Sequence, residues 1–140
     1  ASTGKPINIK KGQFMAPEDM KYIAQKAEYK GNKNIMITER GTSFGYHDLV
    51  LDPRSIVILK SVGYPVILDI THSAQKPGGI AGASSGERKF VIPFGKVGVV
   101  LGVDGIYMEV HPDPEKAISD KFIQVPLDEA ENYIKAIFNI

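Results

Sequence analysis

The chain has 140 residues, with 17 Lys and Arg against 16 Asp and Glu and a net charge of +1. That length suits one domain around one core, and near-neutrality excludes the global field that draws basic proteins to nucleic acid or to a membrane surface. There is no cysteine, so disulfides and thiolate metal ligands are excluded, and no apolar run reaches the ~20 residues that span a bilayer.

In chain order, the opening Ala1-Ser2-Thr3-Gly4 lacks an initiator Met, and Gly4 before Lys5-Pro6 reads as the end of a helix. The expectation is a fragment of a longer protein. Ile7-Asn8-Ile9 reads as a strand running into Lys10-Lys11-Gly12. A helix follows: Pro17 suits its first position, Glu18 and Asp19 its positive first turn, and Gly31 its end. Met20, Ile23, Ala24 and Ala27 form its buried stripe. Ile35 to Thr38 is a second strand, running into Glu39-Arg40-Gly41-Thr42-Ser43. Asp52 caps a second helix with Pro53 at its first position and Gly63 at its stop. Val66 to Ile70 is a third strand, ending in Thr71-His72-Ser73. Lys89 to Leu101 contains Pro93, Gly95 and Gly98 and reads as a helix of poor propensity. Gly105 to Met108 is the fourth strand, running into Glu109-Val110-His111, and Leu127 to Phe138 is the last helix.

This β-α-β-α-β-α-β-α order predicts an α/β fold with a parallel sheet and right-handed crossovers. Four such units make a small open sheet or half of an eight-stranded barrel; an isolated half exposes two edges and needs another half to cover them. The long segments His72 to Arg88 and Val110 to Pro126 read as loops, the glycine-rich first one as a mobile lid.

In such folds ligands bind at the C-terminal ends of the strands, where all four charged clusters lie. Alternation allows only one of Lys10 and Lys11 into a site; the other packs toward the helices or reaches solvent. Arg40 offers a fork for phosphate or carboxylate, with Gly41 and Gly45 admitting backbone amides and Thr42 and Ser43 adding hydroxyls. The plainer reading there is an ion pair between Glu39 and a lysine, closed by a turn. His47 and Asp48 read as loop residues without assigned work. Asp69 and His72 on the third strand, with Glu109, His111, Asp113 and Asp120 after the fourth, suit a divalent metal with N and O ligands. Equally, His72 and Glu109 suit acid–base catalysis without metal.

Together these segments resemble the 3-deoxy-D-manno-octulosonate 8-phosphate (KDO8P) synthases, related to the 3-deoxy-D-arabino-heptulosonate 7-phosphate (DAHP) synthases. The resemblance rests on Asn8 to Phe14, Glu39 to Tyr46, Asp69 to Ser73 with Gln75, and Glu109 to Pro114 with Ser119-Asp120. It implies the C-terminal half of a (β/α)8 TIM barrel over residues 1–140. It also implies a cytoplasmic transferase of lipopolysaccharide biosynthesis, joining phosphoenolpyruvate to arabinose 5-phosphate with release of phosphate. By resemblance Lys10 and Arg40 hold phosphoenolpyruvate with Gln75 beside them, Lys10, His72 and Glu109 are catalytic, and His72, Glu109 and Asp120 bind a divalent metal (Mn, Fe, Zn or similar). Metal dependence stays open, because the fourth ligand belongs to the first barrel strand. Ser85 and Lys121 depart from the family pattern. The whole enzyme is expected to be a homotetramer, the isolated half not fully active, with neither nucleic acid nor membrane as partner. The alternatives are condensation with erythrose 4-phosphate, as in DAHP synthases, and a non-catalytic half-barrel module.

Overall fold

The computed structural model describes residues 1–80 and 83–139. Its centre is a four-stranded parallel sheet of β1 (Ile7–Lys10), β2 (Ile35–Glu39), β5 (Val66–Asp69) and β8 (Gly105–Tyr107), lying side by side in chain order. Helices α1 (Met20–Tyr29), α2 (Pro53–Val62) and α3 (Val91–Val100) connect these strands, and α4 (Ala130–Phe138) closes the described chain. The short helical turn Pro17–Asp19 leads into α1. Asp52 caps α2 by accepting the Arg54 N–H at 3.0 Å, and Gly63 ends it at φ 96°, a left-handed turn that glycine makes without strain. Ala1 to Pro6 carry no helix, only a turn at Gly4.

Strand alternation sorts the sheet into two unlike faces. Ile37, Val66 and Leu68 point toward the helices and are buried with Met20, Ile56, Leu59, Val91 and Ile137. Register pairs Lys10 with Thr38, Thr38 with Ile67, and Asp69 with Tyr107, so these side chains line the opposite face. No described helix covers it, and Asn8 and Lys10 are exposed there. The strands thus follow chain order in one parallel sheet, with the described connecting helices packed on one side of it.

The poor helix formers in α3 have a packing explanation. A Cβ on Gly95 would lie 2.6 Å from Ile137 Cγ1, and one on Gly98 would lie 2.8 Å from Leu68 Cδ2. Those glycines let α3 approach α4 and the sheet closely, and the burial gained outweighs the propensity lost.

Three rim segments read as loops are paired. The chain β3 (Thr42–Gly45) and β4 (Asp48–Val50) form an antiparallel hairpin turning through Tyr46 and His47 at positive φ. A second hairpin joins β6 (Gln75–Ile80) to β7 (Ala83–Gly86). It occupies the predicted lid, of which residues 81 and 82 lie outside the described residues. In the last long segment, β9 (Val110–His111) pairs in parallel with β10 (Val125–Pro126).

Candidate functional site

Polar side chains gather where β1, β2, β5 and β8 end. Lys10 leaves the last position of β1 on the open face, and its Nζ donates to Asp69 Oδ2 at 2.7 Å while lying 4.6 Å from the Tyr107 ring centroid. Asp69, the last residue of β5, has no exposed surface and serves as a hub of accepted bonds. It takes the Thr71 hydroxyl at 3.0 Å, the His72 N–H at 2.9 Å and His72 Nδ1–H at 2.8 Å. Burial pushes this carboxyl up, but the bonds from His72 and Lys10 outweigh it and hold Asp69 below the ordinary carboxylate value.

A carboxylate at Nδ1 fixes the imidazole with its proton there and leaves Nε2 as the free nitrogen. That nitrogen faces Glu109 Oε2 at 3.4 Å. Glu109 Oε1 accepts from Gln124 Nε2 at 3.1 Å, whereas Oε2 is buried without a partner among the described residues. Asp120, at φ 57°, completes the group: ligand atoms of His72, Glu109 and Asp120 all lie within 4.8 Å of one another. Two oxygens and a nitrogen lone pair that close repel unless a cation lies among them, and the orphaned Glu109 oxygen fits one. The donor set suits a divalent metal of intermediate hardness.

Gln75 ties this cluster to the guanidinium of Arg40. Its Oε1 accepts from Arg40 Nη2 at 2.6 Å and its Nε2 donates to Asp120 Oδ1. Arg40 is 8% exposed, and its Nη1 is buried with no partner among the described residues. Burial lowers the Arg40 pKa, opposed by the negative charges of Asp69, Glu39 and Asp120. A guanidinium remains a cation under such a shift and keeps half of its fork unpaired.

All six candidates therefore meet at one rim: Lys10, His72 and Glu109 through Asp69, and Arg40 and Gln75 through Asp120. Other expected participants do not join them. Gly41 N–H donates to Glu39 Oε1 at 2.7 Å, so it is not free to line an anion pocket, and Thr42 Oγ1 accepts from Lys11 at 3.0 Å. Ser43 is bonded to Gln13, His111 Nδ1 accepts the Asp113 N–H, and Asp113 pairs with Lys116. His47 packs against Gly78 in the second hairpin. Missing from the sequence-based site were Asp69 as the histidine's acceptor and Gln124 as the support of Glu109. A carboxylate closing a strand three residues before a histidine was the available signal for the first; Gln124, inside a long irregular segment, offered none.

The family model described as the DAHP synthetase I family matches residues 1–138. Among curated relatives, a 2-dehydro-3-deoxyphosphooctonate aldolase from Geotalea uraniireducens is 53% identical over 137 residues, which is 98% of this chain and 50% of that protein. Proteins of the same name from Methylococcus capsulatus and Fusobacterium nucleatum are 53% and 50% identical, covering 91% and 100% of this chain and 45% and 50% of theirs. The chain spans about half the length of the curated relatives it matches.

Proposed function

The chain belongs to the DAHP synthetase I family, and from that premise we propose that it supplies four consecutive βα units, the C-terminal half, of a (β/α)8 barrel that makes KDO8P from phosphoenolpyruvate and arabinose 5-phosphate. The relatives' printed name, 2-dehydro-3-deoxyphosphooctonate aldolase, describes that same product. One observation carries the reading: a buried guanidinium with an unpaired Nη1 stands on the same rim as Lys10 and as a three-donor His, Glu and Asp cluster. Cations beside a cluster of N and O donors match a phosphorylated carboxylate condensing with an aldehyde.

The reaction joins C3 of phosphoenolpyruvate to the aldehyde carbon, adds water at C2 and releases inorganic phosphate. Lys10 and Arg40 orient the phosphate and carboxylate and offset the charge that builds beside them. Arg40 does so in a nearly buried setting, where fixed donors act more strongly than in water. Asp69 keeps the proton of His72 on Nδ1, so Nε2 is the nitrogen directed at the reacting groups. Gln75 holds Arg40 and Asp120 at a set separation. His72, Glu109 and Asp120 would hold a divalent metal, which when bound supplies a Lewis acid to polarise the aldehyde oxygen.

Further expectations follow from the same reading: a cytoplasmic enzyme of lipopolysaccharide biosynthesis, tetrameric when whole. No described helix is long and apolar enough to cross a membrane. The uncovered sheet face bearing Asn8 and Lys10 supports the half-barrel assignment. The test is calorimetric titration of phosphoenolpyruvate into the barrel formed by this chain and the rest of its Geotalea uraniireducens relative. Lys10→Ala and Arg40→Ala are each expected to weaken binding about ten- to a hundredfold. Unchanged affinity in both rejects the assignment. A phosphate-release assay with arabinose 5-phosphate against erythrose 4-phosphate separates KDO8P from DAHP synthesis.

A further inference from the structure

Directly behind the site, on the helix side of the sheet, lies a second charged pair that the proposed chemistry does not use. Lys11 is 1% exposed and Glu39 has no exposed surface. Their Nζ and Oε1 lie 3.6 Å apart. Ion pairs so deeply buried are weak sources of stability, because desolvation cancels most of the attraction. Glu39 illustrates the cost, since its Oε2 is buried with no partner among the described residues.

What Glu39 does hold is the backbone on either side of Arg40. Its Oε1 accepts the Arg40 N–H at 3.0 Å and the Gly41 N–H at 2.7 Å, so one oxygen pins both peptide units that flank the guanidinium's Cα. Lys11 anchors the other end of the turn, donating to Gly41 O at 3.4 Å and Thr42 Oγ1 at 3.0 Å. Gly41 is at φ 87°, and a Cβ there would lie 3.5 Å from Ser73 Cα. The turn is therefore set in a left-handed conformation that a side chain would strain. The Ser43 N–H donates to Gln13 O at 2.9 Å, which ties the turn to the segment that follows β1.

We propose that Lys11 and Glu39 are positioning residues, a buried clamp that fixes the backbone flanking Arg40 and so aims its guanidinium at the anion. The inference rests on the reading of Arg40 as an anion ligand given above. In this view the accepting oxygen matters more than the charge: Lys11 balances Glu39, and Glu39 orders the peptide. An Arg40 carried on an unpinned turn keeps its charge but loses the preorganisation on which catalysis by fixed donors depends.

The experiment compares two double variants in the complete barrel formed with the rest of the Geotalea uraniireducens relative, beside Arg40→Ala. Lys11→Met with Glu39→Gln removes both charges and keeps an oxygen for the two N–H groups. Lys11→Met with Glu39→Met removes the charges and the acceptor at similar volume, a change that buried pairs often tolerate without unfolding. The expected result is a phosphoenolpyruvate KM within about threefold of wild type for the Gln pair and raised about tenfold or more for the Met pair. The arabinose 5-phosphate KM stays unchanged in both. A purely structural role would instead lower kcat through the folded fraction and leave both KM values alone. Equal phosphoenolpyruvate KM values for the two pairs, with Arg40→Ala impaired, overturn this inference alone. An unimpaired Arg40→Ala overturns the anion reading and this inference with it.

Discussion

Lys10 and Lys11 are neighbours in the chain and opposites in surroundings. Lys10 keeps 40% of its side chain exposed and reaches a carboxylate that also serves His72, whereas Lys11 has none exposed and faces a carboxylate that serves only backbone. The pleat of β1 makes this difference, by sending one ammonium to the open face and the next toward the helices. Similar charges thus do different work on the two sides of one sheet. Exchange with ligand is possible where water reaches, and rigidity is possible where it does not.

Breaking the buried member has the larger effect on stability. Lys11→Met strands the Glu39 carboxylate in the core and is expected to cost about 3–5 kcal/mol, read by urea unfolding. Lys10→Met leaves Asp69 with four further donors in Thr71 and His72 and is expected to cost about 1 kcal/mol or less, since Lys10 is partly solvated. Equal losses in the two variants would remove the distinction between the faces.

On the open side, the sharper probe is the acceptor behind the histidine. Asp69→Asn keeps the size of the side chain but no longer guarantees the proton at His72 Nδ1. Binding of Mn²⁺, followed by its electron paramagnetic resonance signal, is expected to weaken about 10- to 100-fold. An unaltered titration would mean that Asp69 is structural and that the His72, Glu109 and Asp120 cluster is not held as a metal site.

How much of this could be read from residues alone follows the same division between faces. The parallel α/β order and the positions of Lys10, Arg40, His72 and Glu109 were legible because each lies at or just past the end of an apolar run, whereas Gln75 and the ligand role of Asp120, inside long segments, came from the family resemblance. The alternation rule also anticipated that the two lysines would part, leaving open whether the second packs toward the helices or reaches solvent, and the plain ion pair of Glu39 with a lysine coexists with Arg40 in the site. The two hairpins were not legible. Thr42 to Val50 and Gln75 to Gly86 carry no run of alternating apolar residues, and their pairing is set by the rim on which they rest. Gly95 and Gly98 argued locally against a helix, and only the positions of Ile137 and Leu68 give the reason for them.

That reason is itself breakable. Gly95→Ala places a methyl against Ile137 and is expected to destabilise by about 1–3 kcal/mol, through overpacking that outweighs the gain in helix propensity. Thermal unfolding measures it; a rise in Tm would show that α3 and α4 have room to separate.

The smallest expected effect lies in the second hairpin, where Glu87 accepts from Lys76 at 2.7 Å and also pairs with Lys89. The hydrogen bond from Lys76, then that from Lys89, lowers the Glu87 pKa from 4.5 to about 2. A carboxyl depressed in the folded state binds its proton more readily when unfolded, so its contribution is fully present above pH 4.5 and disappears as pH falls through about 2. The pair is open to solvent, so the contribution is small and screened by salt. Glu87→Gln is expected to flatten the acid limb of the stability profile slightly between those pH values while leaving the profile near neutrality parallel to wild type. An unchanged acid limb would mean that Glu87 contributes nothing to the pH dependence of folding, and would leave that dependence to the other carboxyls held below their ordinary values, Asp69 on the open face and Asp52 at the start of α2.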